Sequence, residues 1–177
     1  MELWDLYTKD RKKMGQTMIR GEKQPEGTYR IVVHLCLFND KGEMLIQQRQ
    51  PFKKGWSNMW DITVGGSAVA GDESWQAIQR ETKEELGLDI DFSDKRPSIT
   101  VSFPGGFDDM YVVNKDIDLN ELKLQYEEVE KVKWADKEEI FALLDEEAFI
   151  PYPKSYIEFL FHLREYGNVH TRKDKTR

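Results

Sequence analysis

The alternation of apolar and polar positions predicts strands in the first third of the chain. Residues 29–38, YRIVVHLCLF, are almost continuously apolar, as expected of a strand that is buried on both faces. The polar turn NDKGE leads from this segment into MLIQQR at 44–49, and the two segments together predict a central hairpin. MWDITV at 59–64 is predicted to be a further short strand that ends at Gly65 and Gly66.

A helix is predicted from Glu73 to Leu86, after the loop SAVAGD. Gly87 at its C-terminal side can take the left-handed conformation in which many helices end. Ile78, Thr82 and Leu86 repeat at i, i+4 and i+8, so they lie on one side of this helix and should face the sheet.

The second half of the chain continues the alternation with two more helices. Asp136 followed by Glu139 resembles a capping pair that would begin a helix in KEEIFALL. Pro153 lies near the start of a last helix with an apolar stripe. Strands interleaved with helices imply an α/β layer sandwich. The further predicted strands are SITVSF at 98–103, MYVV at 110–113 and VEKVKWA at 129–135, and the stripe is Ile157, Leu160 and Leu163.

The length of 177 residues suits one domain with a substantial core, and no Pro/Gly/Ser-rich linker divides it. We expect a single domain over residues 1–168, followed by a basic, disordered tail at 169–177. Cys36 has no second cysteine to pair with, and its apolar surroundings predict a buried thiol in a reducing, cytoplasmic setting. Without an apolar run of eighteen residues or a signal-peptide pattern, the chain is expected to be neither membrane-spanning nor secreted.

The net charge of −7, from 26 basic and 33 acidic residues, argues against a nucleic-acid partner, which would need a basic stripe. Part of the acidic charge is concentrated on the predicted helix, where Glu81, Glu84 and Glu85 lie at i, i+3 and i+4. Like charges at that spacing repel by roughly 0.2–0.5 kcal/mol per pair. A solvated acidic face, balanced in part by Arg80, is one interpretation; a bound divalent cation is the other.

In the segment from Gly66 to Leu88, Gly66 is followed after five residues by Asp72, and after seven more by RETKEELGL. This segment resembles the box of the Nudix hydrolases. Asp72 stands where the family usually has glutamate, and Thr82 replaces an aliphatic residue. The positions in register with the box are Gly66, Arg80, Glu81, Glu84, Glu85 and Gly87.

The resemblance implies a Nudix α/β/α sandwich with a mixed sheet, in which the box is a loop-helix-loop. It also implies hydrolysis of a diphosphate linkage, usually in a nucleoside diphosphate derivative, with Mg²⁺ or Mn²⁺ as cofactor. Glu81, Glu84 and Glu85 would be the metal ligands, and Arg80 would orient Glu81. The expected partner is therefore a small-molecule diphosphate, without nucleic acid or membrane, and a homodimer is left open.

The family often uses a further carboxylate from outside the box. The candidates here are Asp108, Asp109, Glu127 and Glu128; we assign Glu128 to the metal site and leave the choice to geometry.

Substrate contacts are expected from Arg49, which ends the predicted hairpin, and from Gly65 and Gly66. Trp56, Trp60, Phe107 and Tyr111 could form an aromatic wall for a base; we assign Phe107 to it and expect Trp60 in the core. His34 lies in the middle of a strand, and the other histidines are far away in sequence, so no histidine metal cluster is predicted.

Two alternatives remain open. The N-terminal WDLYTKDRKKMG is similar to the Nudix branch related to isopentenyl-diphosphate isomerase, but Val64 stands where that enzyme has its catalytic cysteine. A nucleotide-binding domain without catalysis is the second alternative, although such domains usually lack the box carboxylates that this chain retains. Hydrolysis is therefore favoured, with oxidised nucleotides, ADP-ribose, dinucleotides and isoprenoid diphosphates all open as substrates.

Overall fold

The computed structural model describes residues 2–171, and these residues form a mixed seven-stranded sheet, a separate two-stranded sheet and three α-helices. The N-terminal pair is β1 (Leu3–Tyr7) and β2 (Lys13–Ile19). The large sheet contains β3 (Arg30–Phe38), β4 (Met44–Arg49), β5 (Trp60–Asp61), β6 (Val64–Ser67), β7 (Ile99–Phe103), β8 (Gly106–Asn114) and β9 (Val129–Ala135). The helices are α1 (Ser74–Leu86), α2 (Lys137–Asp145) and α3 (Lys154–Tyr166).

Strand β3 is the centre of the large sheet. It pairs in parallel with β8 along its whole length and antiparallel with β6. The predicted hairpin turn forms, but β3 and β4 share one pair, Phe38 with Met44, and then diverge. Beyond that point β4 pairs with β9 and β5. The prediction of a central hairpin therefore holds for the turn and not for the length of the strands.

The segment MWDITV was predicted to form one strand, but in the structure it forms two. Its first part, β5, pairs with β4, and its second part, β6, pairs with β3. Thr63 lies between them, buried where β3 and β4 diverge: its hydroxyl accepts from the Leu37 amide at 2.8 Å and donates to the Leu45 carbonyl at 2.5 Å. The Gly65-Gly66 pair, expected to end the strand, consequently lies inside β6.

Side chains that alternate along β3 build one core on each face of the sheet. Val33, Leu35 and Leu37 pack with residues of α1, and Cys36 and Phe38 pack with residues of α2 and α3. This two-sided packing confirms the predicted α/β/α sandwich with a mixed sheet. None of the described helices is long and apolar enough to cross a membrane.

The predicted helices are confirmed to within a residue or two at their ends. The backbone of Glu73 donates to Gln76 at the start of α1, and Gly87 ends the helix with a φ of 71°. Asp136 caps α2 by accepting from the Glu139 amide at 2.8 Å, and the apolar stripe of α3 is buried. The β1–β2 pair was not predicted from the sequence. Residues 172–177 of the predicted basic tail lie outside the described residues.

Candidate active site

Helix α1 presents its acidic side to a pocket beside β6. Its buried residues Ile78, Thr82 and Leu86 face the core, as their spacing predicts. Glu85 is buried with them, at 5% exposure, while the side chains of Glu81 and Glu84 are 16% and 50% exposed. Exposure to solvent therefore increases from Glu85 through Glu81 to Glu84. Of the three, only Glu84 fits the interpretation of a solvated acidic face.

Gly66 is what allows Glu81 to lie against β6. A β-carbon at position 66 would overlap the carboxylate of Glu81, so no larger residue fits there without displacing that side chain. Gly65 stands in a similar relation to His34, because a β-carbon at position 65 would come within 2.6 Å of the imidazole ring. The two glycines thus admit one functional side chain on each face of the strand.

Arg80 bonds several residues in and around the box at once. Its guanidinium donates to Glu81 at 2.9 Å, to Glu84 at 3.2 Å, to Asp72 at 3.2 Å and to the carbonyl of Ser67 at 3.1 Å. The predicted contact between Arg80 and Glu81 is thus present. Asp72 supports this arginine, because its carboxylate bonds the guanidinium instead of lining the pocket.

Glu85 is the carboxylate with the least compensation. It accepts one hydrogen bond at 3.0 Å, from the amide of Gln47 on β4, and forms no ion pair within residues 2–171. Burial, followed by the charges of Glu81 and Glu128, raises the pKa of Glu85 well above its ordinary value. Burial also raises the pKa of Glu81, with Arg80 opposing the shift. Within the cluster, Glu85 is therefore the carboxylate that no cation of the described residues compensates.

The pocket in front of these carboxylates, here called the box pocket, has a volume of about 220 Å³. Glu128 lines it, so the structure brings this predicted residue together with the three box glutamates. Its carboxylate also bonds Lys53 at 2.6 Å. The complete lining is Glu2, Arg20, Gly65, Gly66, Ser67, Arg80, Glu81, Glu84, Glu85, Gln125 and Glu128.

No three His, Cys, Asp or Glu side chains within residues 2–171 converge on a preformed metal cage. The donor set nevertheless fits a hard divalent cation, because it is made of carboxylate oxygens and includes the buried, uncompensated Glu85. Glu81 and Glu84 share Arg80, and Glu128 is held by Lys53. An ion would therefore have to take over part of these contacts.

The other candidate carboxylates lie elsewhere. Asp109 is fully buried and bonds both Arg11 and the hydroxyl of Thr100, the latter at 2.6 Å. Asp108 bonds His34 Nδ1 at 2.7 Å, and Glu127 is exposed at the edge of a different pocket. Of the four, Glu128 is thus the residue that the fold places in the box pocket.

A second pocket, here called the strand-side pocket, opens on the α3 side of the sheet with a volume of about 550 Å³. It shares Gly65, Gly66 and Ser67 with the box pocket, and Arg49 and Trp56 line it. The predicted substrate contacts Arg49, Gly65 and Gly66 therefore border this pair of pockets. Their role as substrate contacts stays a prediction.

The floor of the strand-side pocket carries two polar pairs. Burial opposes the charged form of His34, but the hydrogen bond and charge of Asp108 together raise the pKa of this histidine. Burial raises the pKa of Asp61, which accepts from the hydroxyl of Tyr152 at 3.1 Å. All four side chains line the strand-side pocket, which shares Gly65, Gly66 and Ser67 with the box pocket.

Phe107 lines neither pocket, and its role as a substrate contact stays a prediction. Alternation along β8 turns Phe107 towards the α1 face, where it is 9% exposed and packs near Tyr29. The neighbouring Asp108 points the other way, into the strand-side pocket. Tyr111 and Trp60 are core residues too, whereas Trp56, at 53% exposure, lines the strand-side pocket and could form an aromatic wall.

Several site residues were missed in the sequence. Gln47 gave little signal, because it is the first of three polar residues that end the strand MLIQQR. Asp108 was named as a candidate, but its contact with His34 was missed, because it depends on the parallel pairing of β3 and β8, which no local pattern reveals. Glu2 and Arg20 reach the box pocket from the unpredicted β1–β2 pair.

Comparison with known proteins agrees with this architecture. A family model described as NUDIX domain matches residues 28–159. An uncharacterised Nudix hydrolase of Listeria innocua is 45% identical over 170 residues, covering 96% of this chain and 99% of the relative. An isopentenyl-diphosphate Delta-isomerase of Shigella flexneri is 36% identical over 73 residues, 39% of this chain and 40% of the relative. A crystal structure from Deinococcus radiodurans has a TM-score of 0.73 at 23% identity, covering 91% of this chain and 98% of that chain.

Proposed function

The chain belongs to the Nudix family, and from that premise we propose that it is a divalent-metal-dependent hydrolase that cleaves a diphosphate linkage in a nucleoside diphosphate derivative or a related small molecule. The observation that carries the proposal is Glu85. Its carboxylate is buried at the edge of the box pocket beside Glu81 and Glu128, and it forms no ion pair among the described residues. A bound divalent cation would supply the missing positive charge.

The metal in this proposal is Mg²⁺ or Mn²⁺, because both prefer the carboxylate oxygens that the box pocket offers. Glu81, Glu84, Glu85 and Glu128 would hold the ion. When bound, it would neutralise the diphosphate and lower the pKa of the attacking water. The net charge of −7 makes this neutralisation necessary, since an acidic protein must here hold an anionic substrate.

The surrounding residues fix the carboxylates that this chemistry needs. Gln47 donates to Glu85 and holds its side chain towards the pocket. Arg80 holds Glu81 and Glu84 from the solvent side and is itself positioned by Asp72 and the Ser67 carbonyl. In this arrangement Arg80 is a positioning residue.

The substrate is proposed to lie across Gly65 and Gly66, with its diphosphate in the box pocket and the remainder in the strand-side pocket. The narrow glycine backbone between the two pockets supports this placement, and Arg49 and Trp56 lie along its path. A cytoplasmic location belongs to the same proposal, and the single, buried free thiol of Cys36 is consistent with it.

Isomerisation of an allylic diphosphate is the alternative that the partial match to the Shigella flexneri enzyme favours. Val64, at the position expected for the catalytic cysteine, is fully buried in the core on the α1 face. The thiol of Cys36 is fully buried on the opposite face, and burial raises its pKa well above the ordinary value. Neither position supplies an accessible acid for the isomerase reaction, and hydrolysis is the better supported function.

A panel of purified diphosphate compounds tests this proposal. The panel contains nucleoside di- and triphosphates, oxidised nucleotides, ADP-ribose, dinucleotides and isoprenoid diphosphates, each with Mg²⁺ or Mn²⁺. Release of phosphate, diphosphate or a monophosphate product that stops with a chelator and returns with added metal is the expected result. Turnover that persists in excess chelator would contradict the metal site.

A further inference from the structure

A cluster of basic side chains borders the box pocket on the side of Glu128. It surrounds a pocket of about 460 Å³, here called the basic groove. Four cations face it beside two carboxylates, although the whole protein carries an excess of acidic residues. The lining is Arg20, Arg49, Phe52, Lys53, Lys54, Gly55, Glu127 and Glu128.

The basic groove adjoins the box pocket. Arg20 and Glu128 line both, so these two side chains are within reach of ligand groups in either pocket. Arg20 follows strand β2 and lies before the residues that match the family model, which begin at residue 28. The N-terminal strand pair therefore contributes a cation to the site from outside the matched domain.

The cations of the groove retain donors for a ligand. Arg20 donates to Glu2 at 2.8 Å, and no other acceptor for its guanidinium lies among residues 2–171, which leaves most of its five N–H groups free. Lys54 is exposed and forms no ion pair within the same part of the chain. Lys53 bonds Glu128, and Arg49 uses its Nε on the carbonyl of Gly55 at 3.2 Å.

Neutralisation of nearby carboxylates does not account for all the cations that face the basic groove. Lys53 already pairs with Glu128, and Arg20 pairs with Glu2. Arg49 and Lys54, which lie in one segment of the chain, face the same space as Arg20, which comes from the end of β2. Convergence of arginine and lysine on one concave surface is the usual way to hold a phosphoryl group. A solvated charged face would not need to be concave or to adjoin the acidic pocket.

We propose that the basic groove binds a phosphoryl group beyond the diphosphate held in the box pocket. The substrate class is then a triphosphate, or a diphosphate that carries an additional phosphate at one end. The inference rests on the proposed function for the position of the diphosphate. Arg20 and Lys54 are the specificity residues, because they have unused donors and face the groove.

The first test compares a nucleoside triphosphate with the matching diphosphate as substrates. The ratio of their kcat/KM values is measured for the wild type, Lys54→Gln and the double variant Arg20→Gln/Lys54→Gln. Loss of charge-assisted hydrogen bonds should lower the ratio by about tenfold in the double variant, and raised ionic strength should lower it in the wild type. Lys95→Gln, an exposed lysine that does not line these pockets, is the control and should keep the wild-type ratio.

The second test measures binding without turnover. Calorimetry with Ca²⁺ as a hard, oxygen-preferring cation, under conditions in which no phosphate is released, should show that inorganic tripolyphosphate binds the wild type more tightly than pyrophosphate does, and that the double variant loses this advantage. Equal binding of both anions, or an advantage that the double variant keeps, would overturn the proposal that the basic groove binds a phosphoryl group.

If no nucleotide is hydrolysed, the proposed function fails, while the calorimetric comparison still tests whether the basic groove binds a phosphoryl group. If hydrolysis occurs with an unchanged ratio in the double variant, the groove fails and the hydrolase stands.

Discussion

Gly66 lies directly against the side chain of Glu81, so that a β-carbon at position 66 would overlap the Glu81 carboxylate. Because of this contact, the residue at position 66 of strand β6 limits which side chain helix α1 can carry at position 81. The carboxylate is also held by Arg80, which restricts the directions in which it could move away.

Gly66→Ala should displace Glu81 and reduce activity. Overpacking of this kind costs about 1–3 kcal/mol in the free energy of unfolding. In a Glu81→Ala background the same change meets no carboxylate and should stabilise the protein by about 0.4–1 kcal/mol, because alanine restricts the unfolded chain. Denaturant unfolding of the four proteins in this double-mutant cycle measures the coupling. Equal effects of Gly66→Ala in both backgrounds would show that the contact is not the cause.

The metal-free protein should be less stable at neutral pH than at an acidic pH close to the ordinary pKa of a carboxylate. Burial raises the pKa of Glu85, so the folded protein binds the Glu85 proton more tightly than the unfolded chain does. The Glu85 contribution to stability is therefore greatest at low pH and falls as the pH rises from the unfolded pKa towards the folded one.

Thermal unfolding in chelator between pH 5 and 8 tests this sign. Glu85→Gln keeps an acceptor for Gln47 but removes the charge, so its melting temperature should exceed that of the wild type near neutral pH and depend less on pH. Glu84→Gln is the control, because the side chain of Glu84 is half exposed. Indistinguishable pH profiles for wild type and Glu85→Gln would contradict a buried, uncompensated Glu85.

Arg80→Lys should weaken the site although the charge is kept. A lysine ammonium cannot bond Asp72, Glu81, Glu84 and the Ser67 carbonyl at once, as the planar guanidinium does. Loss of such a supporting partner typically lowers metal affinity or activity by about 10- to 100-fold. The metal concentration that gives half-maximal activity should rise, and kcat should fall. Asp72→Asn should have a smaller effect, since Asp72 contacts Arg80 but does not line the box pocket.

The sequence was most informative where local chemistry determines structure. Gly87 ends α1 with a positive φ, and β9 has the bounds of the predicted strand VEKVKWA. The register of the box placed Glu81, Glu84 and Glu85 on one side of a helix, which the structure confirms. Propensity and spacing suffice in these cases, because each depends on residues within a few positions of each other.

Features that depend on tertiary pairing were not predictable in the same way. MWDITV is divided because its two halves pair with different strands, and Thr63 bridges the point where those strands separate. The β1–β2 pair escaped prediction because β2 is largely exposed, with Met18 as its buried residue, so it has no apolar alternation. Arg20 and Glu2 were missed with it. The face of the sheet on which Phe107 lies depends likewise on the position of β8, which no local pattern gives.

Isotope transfer distinguishes hydrolysis from isomerisation. Product formed in ¹⁸O-labelled water should carry the label on a phosphate or phosphate-ester fragment, because the attacking oxygen comes from water. Mass spectrometry of the products gives the result. Conversion of isopentenyl to dimethylallyl diphosphate without phosphate release would establish the isomerase instead.

The central claim is that Glu85 is a metal ligand in a catalytic site. Turnover of Glu85→Gln, with the thermal response to Mg²⁺ measured on the same folded sample, tests it most directly. We predict that turnover falls by about 10²-fold or more and that the stabilisation by Mg²⁺ shrinks. Glu138→Gln, an exposed glutamate in the first turn of α2, should retain both. Near-wild-type turnover and an unchanged response to Mg²⁺ in Glu85→Gln would contradict the account.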